Sequence, residues 1–447
     1  MKKNFTKYLV GGALLVTAFL ESAHAVPSFA RQTGFDCTVC HTVFPELTQT
    51  GREFKLRGYT MSNGEKSKMP LPLAAMIMVD MTKSSNNTGL ASDNLALTKD
   101  GKILIPQVSL FYAGKITDKS GAFIQLTYNG TDLPDKTDVA HHIGMDNMDI
   151  RYADSVMLAD KELVYGVTVN NNPTVSDLWN STPVWGFPYA GSAIAQSPGA
   201  ATMIEGLGQQ VGGVGVYGLW NDFIYAELAA YRSAKPGGIM GAFGWKNQGL
   251  KGDAALVQET TPYARLALQH SFGNNYIMFG GYAMTTTINP AVISNASGLL
   301  DKYKDRAIDA EYQYTNGNNI VTATATKIWE KQTLDGSFGQ SMADNLNNSL
   351  STTRAKVSYY FEQKYGASLG CFSTVGTADA TKYGTFNASP NSRGEIAEID
   401  YLPTQTIKLA LQYTRYDKFD GASKNYDGSG RNASDNNNLY LLGWFMF

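Results

Sequence analysis

The chain has 447 residues, of which 43% are hydrophobic and only 17% charged, with a mean hydropathy of -0.22. That is too polar for a bundle of membrane helices, yet its charged fraction lies below the ~25% of soluble domains. A net charge of -2 offers no electrostatic reason to expect nucleic acid or an anionic membrane surface as a partner.

Abundant Gly, Tyr and Phe lean towards strands and turns, and the three cysteines are too few for a disulfide framework, so they matter through their spacing. Residues 1–25 combine Lys2, Lys3 and Lys7 with an apolar run from Leu9 to Leu20 and the tripeptide Ala23-His24-Ala25. This pattern reads as a secretory signal peptide with an A-x-A cleavage site, leaving a mature chain that begins at Val26. A membrane anchor needs about 20 apolar residues, and Glu21 and Ser22 interrupt this run. No later segment has 18 consecutive apolar residues, so a mature protein that enters a membrane does so without helices. The expected location is the bacterial envelope.

Next comes CTVCH, with Cys37 and Cys40 three apart and His41 directly following. This spacing suits c-type haem attachment, in which two thiols add across the vinyl groups on one edge of the macrocycle and the adjacent His lies under the iron. A redox disulfide or half of a zinc site are the structural alternatives. For the sixth iron position the candidates are Met61 foremost, then Met69 and the adjacent pair His141 and His142, each of which has packing or solvation as its bland reading. Residues 45–58 are expected to form a short helix, with Pro45 near its start, Leu47 and Phe54 on one face, and Gly58 as its stop.

After about residue 70, alternation replaces helical periodicity. In QVSLFYAGKIT, Val108, Leu110, Tyr112, Gly114 and Ile116 share one face. Strands are expected near 72–83, 103–117, 121–129, 146–157, 162–171, 211–220, 222–232, 262–272, 275–286, 304–315, 319–331, 350–362, 364–374, 394–402, 405–417 and 437–447. These are about sixteen segments of roughly ten residues, the span of a tilted transmembrane strand. A soluble sandwich also alternates, but here short connections such as Asn221, Gln363 and 316–318 take turns with long ones such as 172–210, 233–261 and 332–349. Tight periplasmic turns and long outer loops have this rhythm. The chain ends LYLLGWFMF, with Leu439, Leu441, Gly443, Phe445 and Phe447 on one face, an ending that resembles the assembly signal of outer-membrane proteins.

The expected fold class is all-β, an antiparallel outer-membrane β-barrel of about sixteen strands with a short, mostly helical N-terminal c-type haem segment. Its domains are a signal peptide over 1–25, a monohaem segment over 26–70 that could plug the barrel, and a porin-like barrel over 71–447. The stretch PSFARQTGFDCTVCHTVFPELTQTGREFKLRGY, Pro27 to Tyr59, followed by a barrel, resembles the fused outer-membrane monohaem cytochrome c-porin family of iron-oxidising bacteria; over the barrel the resemblance is architectural. It implies one covalent haem c, attached by Cys37 and Cys40 with His41 as axial ligand. It also implies electron flow from extracellular Fe(II), or another small donor, to a periplasmic c-type cytochrome, with outer-membrane lipid around the barrel. As an enzyme this would be an Fe(II):cytochrome c oxidoreductase.

Other readings stay open. Electrons could run outward to an external acceptor, or the barrel could be a passive porin with a structural haem plug. A peroxidase lacks an identifiable distal His with a partnering Arg. The acidic stretch of Asp132, Asp135, Asp138, Asp146 and Asp149 with Lys136 is placed near an outer loop, as a hard-cation site or simply a solvated loop. Cys371 reads as a small barrel residue.

Overall fold

The computed structural model describes residues 27–64, 71–86, 100–131, 143–233, 256–290 and 298–447. The expected signal peptide, Met69, the His141/His142 pair, Asp132, Asp135, Asp138 and Lys136 lie outside the described residues.

Sixteen long strands form one closed antiparallel ring. In chain order they are β1 (Leu73–Ser84), β2 (Ile103–Thr117), β3 (Ser120–Asn129), β4 (Ile143–Leu158), β5 (Lys161–Asn170), β6 (Val211–Trp220), β7 (Ile224–Ser233) and β8 (Thr261–Phe272). They continue as β9 (Asn275–Asn289), β10 (Asp301–Asn316), β11 (Asn319–Leu334), β12 (Asn347–Phe361), β13 (Tyr365–Gly376), β14 (Ser392–Thr404), β15 (Ile407–Lys418) and β16 (Asn438–Met446). Each pairs with its chain neighbours, and the ring closes where β16 meets β1, with Met76 opposite Met446 and Thr82 opposite Tyr440. A two-residue piece, Leu256–Val257, adds to the end of β9. Closure leaves no sheet edge with unpaired backbone groups, the condition for strands to cross lipid.

The alternation sorts side chains between two environments. On β16, Tyr440, Leu442, Trp444 and Met446 are buried inside the barrel, while Leu439 and Leu441 are exposed on the outer wall. Val214, Val216, Leu228, Leu266, Leu268, Leu369 and Ile399 continue that exposed apolar wall. Near the short-turn rim Phe272, Tyr312, Tyr359, Tyr365 and Tyr401 form an aromatic girdle, in which Tyr365 and Tyr401 stack at 5.4 Å. A closed barrel with an apolar belt and an aromatic girdle is built for lipid, so the protein resides in the bacterial outer membrane.

Strand boundaries differ from the sequence expectation mainly at the tight turns. Residues 221 and 222, 362 and 363, and 159 and 160 all have positive φ, the two-residue geometry that matches strand twist. The turn therefore takes residues that alternation alone assigns to β7 and β12. The long connection over 171–210 does not project outward but folds into the lumen, where Asn171, Thr174, Asp177 and Trp179 are all but fully buried.

The N-terminal segment is also inside, at the short-turn end. It consists of α1 (Pro27–Thr33), α2 (Cys37–Cys40) and α3 (Gln49–Leu56). The expected helix over 45–58 is shorter, because Pro45 belongs to a reversal closed by bridging of His41 and Leu47. Thr48 is the cap instead, its Oγ1 accepting from the Gly51 N–H at 3.2 Å. Gly58, at φ +67°, marks the stop.

Candidate functional site

The local fold of CTVCH follows from two close contacts. After the single turn of α2, the His41 N–H donates to the Cys37 carbonyl at 2.9 Å, and the chain reverses so that the Thr48 N–H donates to the Cys40 carbonyl at 3.0 Å. Gly51 on α3 then abuts that same carbonyl so closely that a Cβ there would collide with it. Helices α2 and α3 are therefore pressed together, with Cys37, Cys40 and His41 along one wall of a cavity. The cavity holds about 750 Å³ of space between atoms, part of it open to solvent.

Its other walls are aromatic. Phe29 stacks on Tyr59 at 5.5 Å and meets Phe54 edge-on at 4.8 Å, while Trp185 and Asn180 come from the infolded connection and Phe123 from β3. His41 Nδ1 lies 3.2 Å from the Glu46 carbonyl oxygen. A carbonyl can only accept, so Nδ1 carries the proton and the Nε2 lone pair is left for a ligand. Burial pushes the His41 imidazolium down to about 4, which keeps the ring neutral, and pushes the Cys40 thiol up to about 11.

The segment is tied to the barrel by polar groups that composition alone does not reveal. At the short-turn rim Gln363 Nε2 donates to the carbonyls of Thr38 and His41, each at 3.1 Å, and the Cys37 N–H donates to Gln405 Oε1 at 2.8 Å. Deeper in, Arg52 donates to Gln313 at 3.1 Å and to Glu311 at 3.4 Å on β10. Tyr59 donates to Asp149 at 2.7 Å. Lys55 donates to Asn180 Oδ1 at 2.9 Å and to the Asp177 carbonyl at 2.5 Å.

Burial, reinforced by Arg151, lowers the Lys55 ammonium to about 7 against the pull of Asp149, Asp177 and Glu227. Burial would raise Asp177, but Arg265, Lys55 and the N–H groups of Trp179 and Ser181 hold it below its ordinary value. Plug, infolded connection and wall thus share one network of hydrogen bonds and ion pairs.

Met61 is not among the residues lining the cavity; it packs against the apolar cluster around Phe54 and Tyr59, and its carbonyl accepts from Gln32 at 2.8 Å. Asp146 and Asp149 fall within the expected strand 146–157 and not in the acidic stretch's loop. Both lie on β4, and the pleat turns Asp149 into the lumen, where it pairs with Arg151 at 2.7 Å with neither side chain exposed. Sequence reasoning misses Gln363, Gln405, Lys55 and Trp185. Only the clustering of Trp179 and Trp185 in a long connection, amid small polar residues, hints that this connection is not solvated.

No family model matches the chain, and no curated protein does. Among solved structures it is similar to the loop L8 deletion mutant of OmpT from Vibrio cholerae, with 11% identity and a TM-score of 0.44 over 84% of this chain and 98% of that one. It is also similar to the outer membrane channel DcaP of Acinetobacter baumannii, with 11% identity and a TM-score of 0.46 over 84% and 96%. A third is the anion-selective porin from Comamonas acidovorans, with 11% identity and a TM-score of 0.44 over 84% and 98%.

Proposed function

We propose that this porin-like barrel carries one covalent c-type haem in its N-terminal plug and passes electrons between a small extracellular donor and a periplasmic c-type cytochrome. The observation that carries the reading is the placing of Cys37, Cys40 and His41 on one wall of an aromatic cavity, with His41 Nδ1 committed to a backbone carbonyl. A second feature fits the same group. Trp185, which lines this cavity, has its Nε1 buried without a hydrogen-bond partner among the described residues, a donor that suits a carboxylate such as a haem propionate.

When bound, haem supplies a one-electron redox centre at the periplasmic rim. Cys37 and Cys40 would hold it through thioether bonds, and neutral His41 would offer its Nε2 lone pair to the iron. Phe29, Phe54 and Tyr59 exclude water from that side. Gln363 and Gln405 fix the backbone of the attachment segment to the barrel. The sixth ligand is left to the Met61 test or to another group.

Dissolved Fe(II) is the donor to test first, which would make turnover an Fe(II):cytochrome c oxidoreductase reaction; export in the opposite direction uses the same route. A passive porin with a structural plug is the second reading, favoured by the amide- and hydroxyl-bearing side chains Gln107, Gln125 and Thr127 along a lumenal cavity.

The test is haem staining of the denatured band for wild type and for Cys37→Ala/Cys40→Ala, followed by Fe(II) titration of the purified barrel and conductance in both redox states. Staining confined to wild type, with prompt reduction, supports the proposal. Staining of the double variant removes the attachment site, and a haem that stays ferric beside redox-independent conductance leaves the passive porin. Met61→Ala, read by the spectrum of the ferric form, decides whether that thioether is a ligand.

A further inference from the structure

A second cavity, of about 1200 Å³ on the same measure, reaches from Phe44 of the plug to Asn129 and Thr131 at the long-connection end of β3. It shares Phe44 and Phe123 with the cavity at CTVCH. Phe44 is the link, with its ring 5.5 Å from that of His41, 4.9 Å from Trp444 and 5.3 Å from Tyr189.

The lining has two chemistries. Towards the plug it is apolar and polarisable, formed by Met76, Met78, Phe111, Tyr189, Trp444 and Met446, with Tyr189 stacked on Trp444 at 5.7 Å. Flat rings and thioethers suit an aromatic ring. Towards the long connections it is hydrogen-bonding, with Gln125, Thr127, Asn147 and a single carboxylate, Asp146.

That carboxylate already accepts from Thr127 at 3.1 Å and from Gln209 at 3.2 Å. Among the described residues no group of three His, Cys, Asp or Glu side chains is placed to hold a metal ion. Trp444, whose ring lines this cavity, has its Nε1 buried without a hydrogen-bond partner among the described residues.

We infer that this cavity is a binding site for a neutral hydroxylated aromatic compound of the hydroquinone class. The ring would lie against Trp444 and Tyr189 and the hydroxyls would meet Gln125 and Asp146. Its redox meaning rests on the proposed haem reading, but binding itself does not.

Titration calorimetry of the full-length barrel in detergent with 1,4-dihydroxybenzene should give saturable binding at one molecule per barrel. Cyclohexane-1,4-diol, which keeps the hydroxyls and loses the ring, should not compete. Trp444→Leu should weaken binding at least tenfold, and so should Gln125→Leu on the opposite wall, each checked for folding by heat-modifiable migration. Tyr413→Leu on the outer wall should change nothing. Absence of saturable binding, equal competition by the diol, or wild-type affinity in both cavity variants would overturn the inference. Because heat of binding is read apart from the haem spectrum, a barrel that binds the ligand without haem sinks only the haem reading.

Discussion

Arg151 joins the three parts that close the lumen, so its removal tests whether the plug is held as described. It lies on the lumenal face of β4, 1% exposed. Its guanidinium donates to Asp149 at 2.7 Å, to the Lys55 carbonyl of the plug at 3.2 Å and to the Ser176 carbonyl of the infolded connection at 2.6 Å. Arg151→Met fills similar space but leaves Asp149 buried without its cation and the Ser176 carbonyl without its donor, while the Lys55 carbonyl keeps the Gly58 N–H. Breaking a buried pair from one side costs about 3–5 kcal/mol.

At ~1.4 kcal/mol per tenfold, the docked-to-released ratio of the plug should fall by roughly two to three and a half powers of ten. Conductance per barrel in a planar bilayer should rise, and the heat-modifiable transition should shift down. Arg151→Met/Asp149→Leu removes the stranded charge as well and should lie closer to wild type than the single variant. If Arg151→Met keeps wild-type conductance and the wild-type transition, or if the double variant is worse than the single, the plug is not held by this network.

Three further outcomes follow from the same geometry. Gly51→Ala drives a methyl group into the Cys40 carbonyl and should lower haem staining per folded barrel, at a cost of about 1–3 kcal/mol, whereas Thr50→Ala on the same helix should not; equal staining in both would refute the contact. Lys55 titrates at about 7 in the docked plug against ~10.4 when released, so between those values the docked state binds fewer protons. Docking should therefore strengthen as pH rises from 7 to 9, by at most ~1.4 kcal/mol per unit, and Lys55→Met should flatten that slope. With the Cys40 thiol pushed up to about 11, barrel produced without haem attachment should be alkylated at Cys40 about two orders of magnitude more slowly at pH 8 than the denatured chain; matching rates would show that the thiol is not buried.

The barrel was legible because its signal is repeated. Strands such as Val211–Trp220 and Ile103–Thr117 coincide with their expected bounds, since period-two alternation between lipid and lumen is imposed on every strand. The turn residues were less legible, because Asn221 and Gln363 read as single-residue links when the twist requires two residues at positive φ. The CTVCH motif is local and visible in five letters. Its surroundings are not, since the residues that clasp it, Gln363 and Gln405, lie more than 300 positions away and look like ordinary glutamines in or beside a turn. The expected strand 146–157 includes Asp149, but its lumenal partner is hidden, because a run of carboxylates carries no sign of which ones face an arginine two residues along the same strand.

The most consequential misjudged element is the connection over 171–210, because it decides what the lumen can do. As an outer loop it would leave a wide pore above a small plug. Folded inward, it supplies Asn180 and Trp185 to one cavity and Tyr189 to the other, and Gln412 of β15 donates to its Ala190 carbonyl at 3.2 Å. The two cavities thus meet at the rings of Phe44 and Phe123, and Phe44 packs in turn on Tyr189 and Trp444. Across this contact the Phe44 ring centre lies 4.9 Å from that of Trp444, 5.3 Å from that of Tyr189 and 5.5 Å from that of His41. Widening it should separate the competing readings: Phe44→Ala should raise conductance if the barrel is a porin whose plug merely narrows it, and should slow reduction of the haem by a lumenal donor if the ring is part of the electron path.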